Sequence, residues 1–406
     1  MTLDVRQTTK YMKKQINIGL FGFGSVGRGL YDVLGAVEGK DIVIKRICVR
    51  NLSKDRGVVA DFTDQADDLF GDPEINMIVE LIDDAEAAYT IVRRSLEAHL
   101  PVVSGNKKML AYHLPELIEL GRQTSTPFLY DASACGSIPV IRNLEEYYDN
   151  DLLVSVKGIL NGSSNFVLSK IFNENMTYDA ALRLAQELGI AESDPSLDFD
   201  GWDSLFKLVI LTIHAFGIYV EPEKIFRYGI SSMNEADIRF AAEKQRRIKL
   251  VGHVEKSDDG GVYLWVVPQL ISRDKYIYSV EDEFNGVVIK GRYYYKQFMF
   301  GRGAGGHPTG AAVLSDITAC KYDYRYEYKR MNSASPVHHT NDVVYRIYYR
   351  YRTEEDATLI RFTKIRERYT SPEWSYIVGD VNLADLVAVK DQLAGKEIFL
   401  AAYPWD

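Results

Sequence analysis

The sequence predicts an α/β protein with an N-terminal Rossmann-type parallel sheet, a mixed α+β domain after it and a small C-terminal α/β module. Over the first 150 residues, short apolar strands alternate with helical segments. This alternation predicts a parallel sheet with right-handed crossovers. A glycine-rich turn joins the first strand to the first helix, and strand-like segments dominate beyond residue 260.

The strands and helices of the first part follow each other in a regular order. "INIGLFGFGSVGRGLYDVLG" has the pattern of a strand, a turn and a helix. The later strands and the helix between them are predicted in "DIVIKRICVR", "INMIVELI", "AAYTIVRRSLEAHL", "PVVSGN" and "TPFLYDAS". Together these segments predict a Rossmann domain over residues 1–150, completed by a returning segment at 301–320.

Near residue 150 the pattern changes. Helices are predicted in "YDAALRLAQELG" and "LFKLVILTIHAFG", and strands in "GVYLWVVPQLI" and "NGVVIKGRYYYKQFMFG". We therefore expect a second domain over residues 151–300. The small module, residues 331–406, is predicted to contain the strand "DVVYRIYYRYR", a helix in "EEDATLIRFTKIRER", a strand near "WSYIVG", the helix "LADLVAVKDQLAG" and the strand "EIFLAAYP".

The composition excludes several classes of function. A formal charge of −9 leaves no basic excess to follow a nucleic-acid backbone, so we expect no nucleic-acid partner. The three cysteines lie far apart without a CxxC spacing, which suits a reducing compartment. No apolar run reaches the roughly 20 residues that span a bilayer. These observations predict a cytoplasmic protein without a membrane partner.

The turn "GFGSVG" places Gly22, Gly24 and Gly27 in a GxGxxG pattern between a strand and a helix, with Ser25 and Val26 inside it. In that context glycine allows a tight turn and close approach of a pyrophosphate, and the helix N-terminus supplies N–H groups. The pattern predicts dinucleotide binding.

The residues that follow the second strand indicate which dinucleotide is bound. Enzymes that use NAD commonly carry an acidic residue there, whereas this chain has Arg50, followed by Lys54. A guanidinium favours the 2′-phosphate of NADP, so we expect NADP to be preferred, with NAD as the second cofactor. Arg50 could instead stack on the adenine or cap a sheet end.

The stretch "ESDPSLDFDGWDSLFK", residues 192–207, is strongly acidic. One interpretation is a solvated helix entrance in which Asp203 and Lys207 form an i,i+4 ion pair. A calcium loop is excluded, because the position that requires a bidentate glutamate is Lys207. In the third interpretation Lys207 shares a buried helix face with Asp203, exchanges a proton with a substrate oxygen, and nearby carboxylates receive an ammonium group.

Three blocks resemble the homoserine dehydrogenase family: "KGILNGSSNFVLSKI", "AALRLAQELGIAESDPSLDFDGWDSLFKLVIL" and "GRGAGGHPTGAAVLSDI". The likeness runs from about residue 16 to about residue 318. It implies reversible NAD(P)-dependent interconversion of L-homoserine and L-aspartate 4-semialdehyde, in the route to threonine, isoleucine and methionine. It also implies a second domain that binds substrate and dimerises, so we expect a homodimer or a higher homo-oligomer.

The resemblance also implies roles for single residues. Lys207 is implied to be the catalytic lysine, Glu192 and Asp203 to hold the amino and hydroxyl ends of the substrate, and Lys107 to reach both nicotinamide and substrate. Four further positions match substrate or cofactor contacts of the family: Asp198, Gly162 and Ser163 on the substrate side and Asn106 beside Lys107. Gly303 is implied to lie close to the dinucleotide, in a segment that returns to the cofactor domain.

One region that departs from the family's pattern is a predicted cation site. In "YDASACGSIP" Asp131 replaces a glutamate at a monovalent-cation site, where we expect Na⁺ near the carbonyls of Ala134 and Gly136. The C-terminal module is similar to a shortened ACT regulatory domain.

Two other functions stay open from the sequence: a related NADP-dependent dehydrogenase of another small amino acid or semialdehyde, and a non-catalytic NADP-binding or amino-acid-sensing regulator.

Overall fold

The computed structural model describes residues 15–37, 41–332 and 337–404. The chain divides into two compact units. Unit 1 contains the chain up to residue 139 together with residues 305–327, and unit 2 contains residues 140–304 and the chain from residue 328 onwards. The predicted domain boundaries at residues 150, 300 and 331 stay predictions.

Unit 1 is built on a six-stranded parallel sheet with the strand order β3-β2-β1-β4-β5-β6. Its strands are β1 (Ile16–Phe21), β2 (Ile42–Cys48), β3 (Phe62–Thr63), β4 (Met77–Glu80), β5 (Val102–Ser104) and β6 (Phe128–Leu129). Ile18 and Leu20 of the central strand are fully buried. This is the strand order of a Rossmann fold, whose ligands bind beyond the carboxyl ends of the strands.

The helices that alternate with these strands are α1 (Ser25–Ala36), α2 (Asp67–Phe70), α3 (Ala85–Glu97), α4 (Lys107–Thr124) and α5 (Ala132–Cys135). Side chains cap two of them at the carboxyl edge of the sheet. Asp84 accepts a hydrogen bond at the start of α3, and Asn106 does so at the start of α4. Such caps satisfy backbone N–H groups that would otherwise lack a partner.

Unit 2 contains a ten-stranded sheet whose first part includes β7 (Leu153–Ile159), β8 (Phe226–Arg227), β9 (Arg246–Lys256), β10 (Val262–Ser272), β11 (Phe284–Gly291) and β12 (Tyr295–Arg302). Its helices are α6 (Val140–Glu146), α7 (Gly162–Glu174), α8 (Tyr178–Glu187), α9 (Ser196–Phe199), α10 (Trp202–Phe216) and α11 (Glu235–Glu243). From Asp203 to Phe216 every residue of α10 is buried. The chain then returns to unit 1 as α12 (Gly306–Lys321), which packs against α1.

The C-terminal residues continue the sheet of unit 2. They form β13 (Val344–Tyr351), α13 (Glu354–Ala357), β14 (Phe362–Tyr369), β15 (Ser375–Asn382), α14 (Leu383–Val389) and β16 (Phe399–Ala402). This is a β-α-β-β-α-β sequence with the strand order β16-β13-β15-β14. Strand β16 also pairs with β10 through Gln269 and Ala402.

The predicted helix in "EEDATLIRFTKIRER" is wrong over most of its length. Only α13 is helical, and β14 pairs antiparallel with β15. Glu, Lys and Arg favour helix in isolation. Here the hydrogen bonds to β15 decide the conformation, and the charged side chains lie exposed on an edge strand, where charge opposes aggregation.

The predicted α/β fold with an N-terminal Rossmann-type parallel sheet is confirmed. Among the described residues, no helix combines the length and the apolar character needed to cross a lipid bilayer.

Candidate active site

The glycines of the first turn differ in what surrounds them. Gly22 has a φ of +92°, and a Cβ there would lie 2.4 Å from the carbonyl oxygen of Leu81. A Cβ on Gly27 would lie 2.4 Å from the carbonyl oxygen of Gly22. A Cβ on Gly24 would meet no atom within 4 Å. Packing therefore requires the first and third glycines, whereas the second faces open space where a ligand can approach the backbone.

Helix α1 begins beside this open space. Gly24 is its N-cap residue and supplies no side-chain cap, and Ser25 and Val26 form its first turn. Gly24 and Ser25 are exposed. The first N–H groups of a helix have no partner within the helix, and together with the helix dipole they favour an anion. The predicted dinucleotide turn thus has the local geometry that a pyrophosphate requires.

Arg50 lies two residues after the end of β2, and its side chain is 81% exposed. Its Nη2 lies 3.2 Å from Oδ2 of Asp84. The backbone N–H of Ala87 and the nearby Arg50 hold the pKa of Asp84 below its usual value. Lys54 is also exposed. Both predicted phosphate-reading cations therefore lie on open surface, and Arg50 has a carboxylate partner.

Asn106 and Lys107 form the start of α4. The Asn106 side chain accepts a hydrogen bond from the N–H of Met109 at 2.9 Å. Its amide group donates to the carbonyl oxygens of Ile82 at 3.0 Å and Asp83 at 3.3 Å. Lys107, the first residue of the helix, is half-buried. Asn106 thus joins the loop after β4 to the start of α4.

Glu80, the last residue of β4, was not predicted as a site residue. It is fully buried, accepts a hydrogen bond from Ser104 Oγ at 2.5 Å and another from the N–H of Ile82 at 2.7 Å. Burial raises the pKa of Glu80 to about 7, against the opposing effect of these hydrogen bonds. The signal in the sequence is an acid within the apolar strand "INMIVELI".

In unit 2, Lys207 and Asp203 form a buried pair on α10. Lys207 Nζ donates to Asp203 Oδ2 at 2.8 Å and to the carbonyl oxygen of Leu160 at 2.7 Å. Their side chains are 8% and 4% exposed. The interpretation as a solvated helix entrance therefore does not hold for this pair, although Asp194 is exposed and accepts a hydrogen bond from the N–H of Ser196.

Asn161 connects the pair to a further acid. Its side-chain amide donates to Asp198 Oδ1 at 2.7 Å and to Asp203 Oδ2 at 2.9 Å, while its Oδ1 accepts from the N–H of Ser164 at 2.8 Å. The same bond caps α7, which begins at Gly162. Asn161 was not predicted, although it begins the quoted motif "NGSSN".

Two predicted substrate residues lie outside this hydrogen-bond network. Ser163 Oγ donates to the carbonyl oxygen of Ile190 at 2.8 Å. Glu192 is exposed, and its carbonyl oxygen accepts from Gln186. Within the described part of the chain, no hydrogen bond connects the Glu192 carboxylate to Lys207.

Gly303 lies in unit 2 beside Asn285. A Cβ on Gly303 would lie 2.0 Å from Asn285 Cγ. Asn285 is fully buried and donates to the carbonyl oxygen of Leu160 at 3.1 Å, so that this oxygen accepts from both Asn285 and Lys207. Asn285 Oδ1 has no hydrogen-bond partner among the described residues. Asn285 was also missed, since no motif marked it.

The predicted cation residues surround the short helix α5. Asp131 precedes this helix, and its N–H donates to Asp316 Oδ2 at 2.9 Å. Ala134 lies in the helix, and Gly136 ends it with a φ of +57°. Carbonyl oxygens at a helix C-terminus and a carboxylate are oxygen ligands of the kind that hard cations prefer. In the described residues, no group of three or more His, Cys, Asp and Glu side chains could hold a metal ion.

Comparisons with known proteins identify one family. A family model described as homoserine dehydrogenase matches residues 139–318, and one described as the NAD-binding domain of homoserine dehydrogenase matches residues 22–131. The homoserine dehydrogenase of Helicobacter pylori is 37% identical over an alignment of 313 positions, which covers 75% of this chain and 74% of the relative.

The chain belongs to the homoserine dehydrogenase family. The crystal structure of a homoserine dehydrogenase from Thiobacillus denitrificans matches with a TM-score of 0.81 and 29% identity, covering 96% of this chain and 98% of that one. A hyperthermophilic archaeal homoserine dehydrogenase in complex with NADPH matches with a TM-score of 0.65 and 26% identity, covering 77% and 99%. The predicted family is confirmed, and so is the enzyme class, an NAD(P)-dependent oxidoreductase acting on a CH–OH group.

Proposed function

We propose that this chain interconverts L-homoserine and L-aspartate 4-semialdehyde with a preference for NADP, and that Lys207 exchanges the proton at the reacting oxygen. The buried ammonium of Lys207 is the observation that carries this proposal. Two acceptors, Asp203 and the Leu160 carbonyl, hold Nζ in one place. An ammonium has three N–H donors. The third can therefore be directed at a substrate oxygen.

The fixed side chain of Lys207 can transfer a proton in both directions of the reaction. During reduction, negative charge develops on the aldehyde oxygen, and a preorganised N–H donor in a dry site stabilises that charge and then transfers a proton. During oxidation, Lys207 would take the hydroxyl proton back. Asp203 keeps the lysine aligned, because its Oδ2 accepts from both Lys207 and Asn161.

The acids near Lys207 support an amine-bearing substrate. Asp198 and Asp203 share the Asn161 amide, so two carboxylates lie near one lysine. Such a surplus of negative charge favours a substrate ammonium. We propose that Asp198, Asp203 and Glu192 receive the substrate, and that Gly162 and Ser163 line the loop beside it.

Unit 1 contains the residues proposed to bind the cofactor. A bound NADP(H) would supply or accept the hydride. The turn from Gly22 to Gly27 is proposed to hold the pyrophosphate, Arg50 and Lys54 the 2′-phosphate, and Asn106 with Lys107 the nicotinamide end. Open space at Gly24 and the exposed guanidinium of Arg50 support this assignment.

A monovalent cation is proposed at α5. The carboxylate of Asp131 and the carbonyl oxygens of Ala134 and Gly136 are oxygen ligands of the kind that can bind Na⁺. Turnover measured at constant ionic strength in NaCl and in tetramethylammonium chloride tests this proposal. Equal rates in the two salts would rule out a required sodium ion.

Steady-state kinetics test the proposed function. L-homoserine and L-aspartate 4-semialdehyde are each assayed with both nicotinamide cofactors, and L-serine and L-threonine serve as control alcohols. We expect turnover of the first pair only, with a higher kcat/KM for the NADP forms. Binding of NADPH without oxidation in the presence of the semialdehyde would contradict the proposal.

A further inference from the structure

We infer that Glu80 is a positioning residue for the reaction, because it fixes the turn that presents Asn106 and Lys107 at the carboxyl edge of the unit 1 sheet. The inference rests on the proposed function, in which Lys107 contacts nicotinamide and substrate. Glu80 itself is fully buried and is proposed to act only through these residues.

Glu80 holds the neighbouring turn through both its backbone and its side chain. Its carbonyl oxygen accepts from the N–H of Gly105 at 3.0 Å. Its Oε2 accepts from Ser104 Oγ at 2.5 Å, and its Oε1 accepts from the N–H of Ile82 at 2.7 Å. One residue at the end of β4 thus ties the end of β5 to the loop that follows β4.

Asn106 closes these contacts into a ring. Its N–H donates to Ser104 Oγ at 3.2 Å, and its side chain donates to the Ile82 carbonyl at 3.0 Å. The side-chain oxygen of Asn106 then caps α4 at Met109. The ring therefore runs from Glu80 through Ser104 and Asn106 to Ile82 and back, and Lys107 is the residue that follows it.

Packing alone would not require a polar side chain at this position. Met77, Ile78 and Val79, the other residues of β4, are buried and apolar. Burying a carboxyl is unfavourable, as the raised pKa of Glu80 shows. The hydrogen bonds of the ring offset that cost, and they lie at the sheet edge where ligands of such folds bind.

The ring can form with either protonation state of Glu80. An ionised carboxylate accepts from both Ser104 and Ile82. A protonated carboxyl can accept from Ile82 and donate to Ser104 Oγ, since a hydroxyl oxygen has two lone pairs. Glutamine resembles the protonated form and should preserve the ring, whereas alanine removes it.

The test compares four variants of the full chain: Glu80→Ala, Glu80→Gln, Ser104→Ala and, as the matched control, Ser95→Ala. Ser95 is as deeply buried as Ser104, but its hydroxyl donates to the Ile91 carbonyl within α3. For each variant, kcat, the KM for the semialdehyde, the dissociation constant of NADPH and the melting temperature are measured.

We expect Glu80→Ala to lower kcat about 10- to 100-fold, because displacement of a reacting group by about 1 Å has an effect of this size. Affinity for NADPH should change less than kcat does, since the residues proposed to bind its pyrophosphate and 2′-phosphate, Gly22 to Gly27 and Arg50, are not replaced. Glu80→Gln should restore most of the rate. Ser104→Ala should lower kcat more than Ser95→Ala does.

Three results would overturn the inference. The first is a normal kcat per NADPH-binding chain in Glu80→Ala, even with a lower melting temperature. The second, decisive if Glu80→Ala does not fold, is an equal kcat for Ser104→Ala and Ser95→Ala. The third is absence of turnover in the unmodified chain, which would overturn the proposed function as well. The assay of the unmodified chain therefore distinguishes failure of the proposed function from failure of this inference alone.

Discussion

Lys207 carries its charge on a helix whose residues from Asp203 to Phe216 are all buried. A buried ammonium is tolerated only when it is paired and hydrogen-bonded. Asp203 and the Leu160 carbonyl meet that need. The i,i+4 spacing made the pairing of Lys207 with Asp203 predictable, whereas the Leu160 carbonyl could be found only from the fold.

Replacement of Lys207 should affect chemistry far more than cofactor binding. We expect Lys207→Ala to lower kcat by at least ~10²-fold with nearly unchanged NADPH affinity, because it removes a contact made in the transition state. Lys170→Ala is the control, since Lys170 also forms an i,i+4 ion pair but at a more exposed site. Near-normal turnover of Lys207→Ala would remove this residue from the mechanism.

Replacement of Arg50 should affect the choice of cofactor. A guanidinium that reads the 2′-phosphate contributes to NADPH binding and little to NADH binding. We therefore expect Arg50→Ala to raise the KM for NADPH much more than the KM for NADH. Arg93→Ala is the control, because Arg93 is an exposed arginine paired with Glu97 on α3. Equal losses for the two cofactors would show that Arg50 does not read the phosphate.

At the scale of elements, β14 and α10 show when local sequence decides the structure. Helix α10 follows from its own sequence, because its long apolar run can be buried as a helix. The sequence of β14 mixes the helix formers Lys, Arg and Glu with the strand formers Phe, Thr, Ile and Tyr, and it is a strand because β15 offers a partner. These mixed propensities do not contain the hydrogen bonds to β15, which is why this prediction failed.

Strand β13 is attached to α11 by a buried ion pair. Arg350 Nε donates to Asp237 Oδ1 at 2.8 Å, and the guanidinium also donates to the carbonyl oxygens of Ser232 and Glu397. Arg350 and Asp237 have side chains that are 5% and 0% exposed. The pair thus fixes the position of the C-terminal strands within unit 2.

Loss of one partner of this pair should destabilise unit 2. We expect Arg350→Ala to lower the free energy of unfolding by about 3–5 kcal/mol, because it leaves the buried carboxylate of Asp237 without its cation. Arg352→Ala is the matched control, since Arg352 pairs with Glu397 at an exposed site. Urea unfolding followed by tryptophan fluorescence measures both. Equal midpoints for the two variants would contradict this account.

For the whole molecule, the sequence was sufficient where a feature is local. The alternation of strands and helices predicted the parallel sheet, and GxGxxG predicted the turn at Gly22. The hydrogen-bonded supports of the site were missed because they join distant parts of the chain. Asn161 and Asp203 are 42 residues apart, and Leu160 and Asn285 are 125 apart. Such contacts exist only once the fold has formed.

The C-terminal strands and helices follow a β-α-β-β-α-β order, which fits the predicted resemblance to a shortened ACT domain. An appended module would have its own core. Here Trp265 and Val267 of β10 share one buried cluster with Tyr349 of β13 and Leu400 of β16. A shared core opens as one cooperative unit.

Native-state hydrogen exchange can distinguish the two cases without altering the chain. We expect the amides of β10, β13 and β16 to have opening free energies within about 1 kcal/mol of each other. The reason is that the side chains of each strand can leave the shared core only when the other two strands open as well. Amides of β14, an edge strand with mostly exposed side chains, should exchange faster and provide the internal control. If β13 and β16 opened at least about 2 kcal/mol below β10, the C-terminal strands would be a separate folding unit.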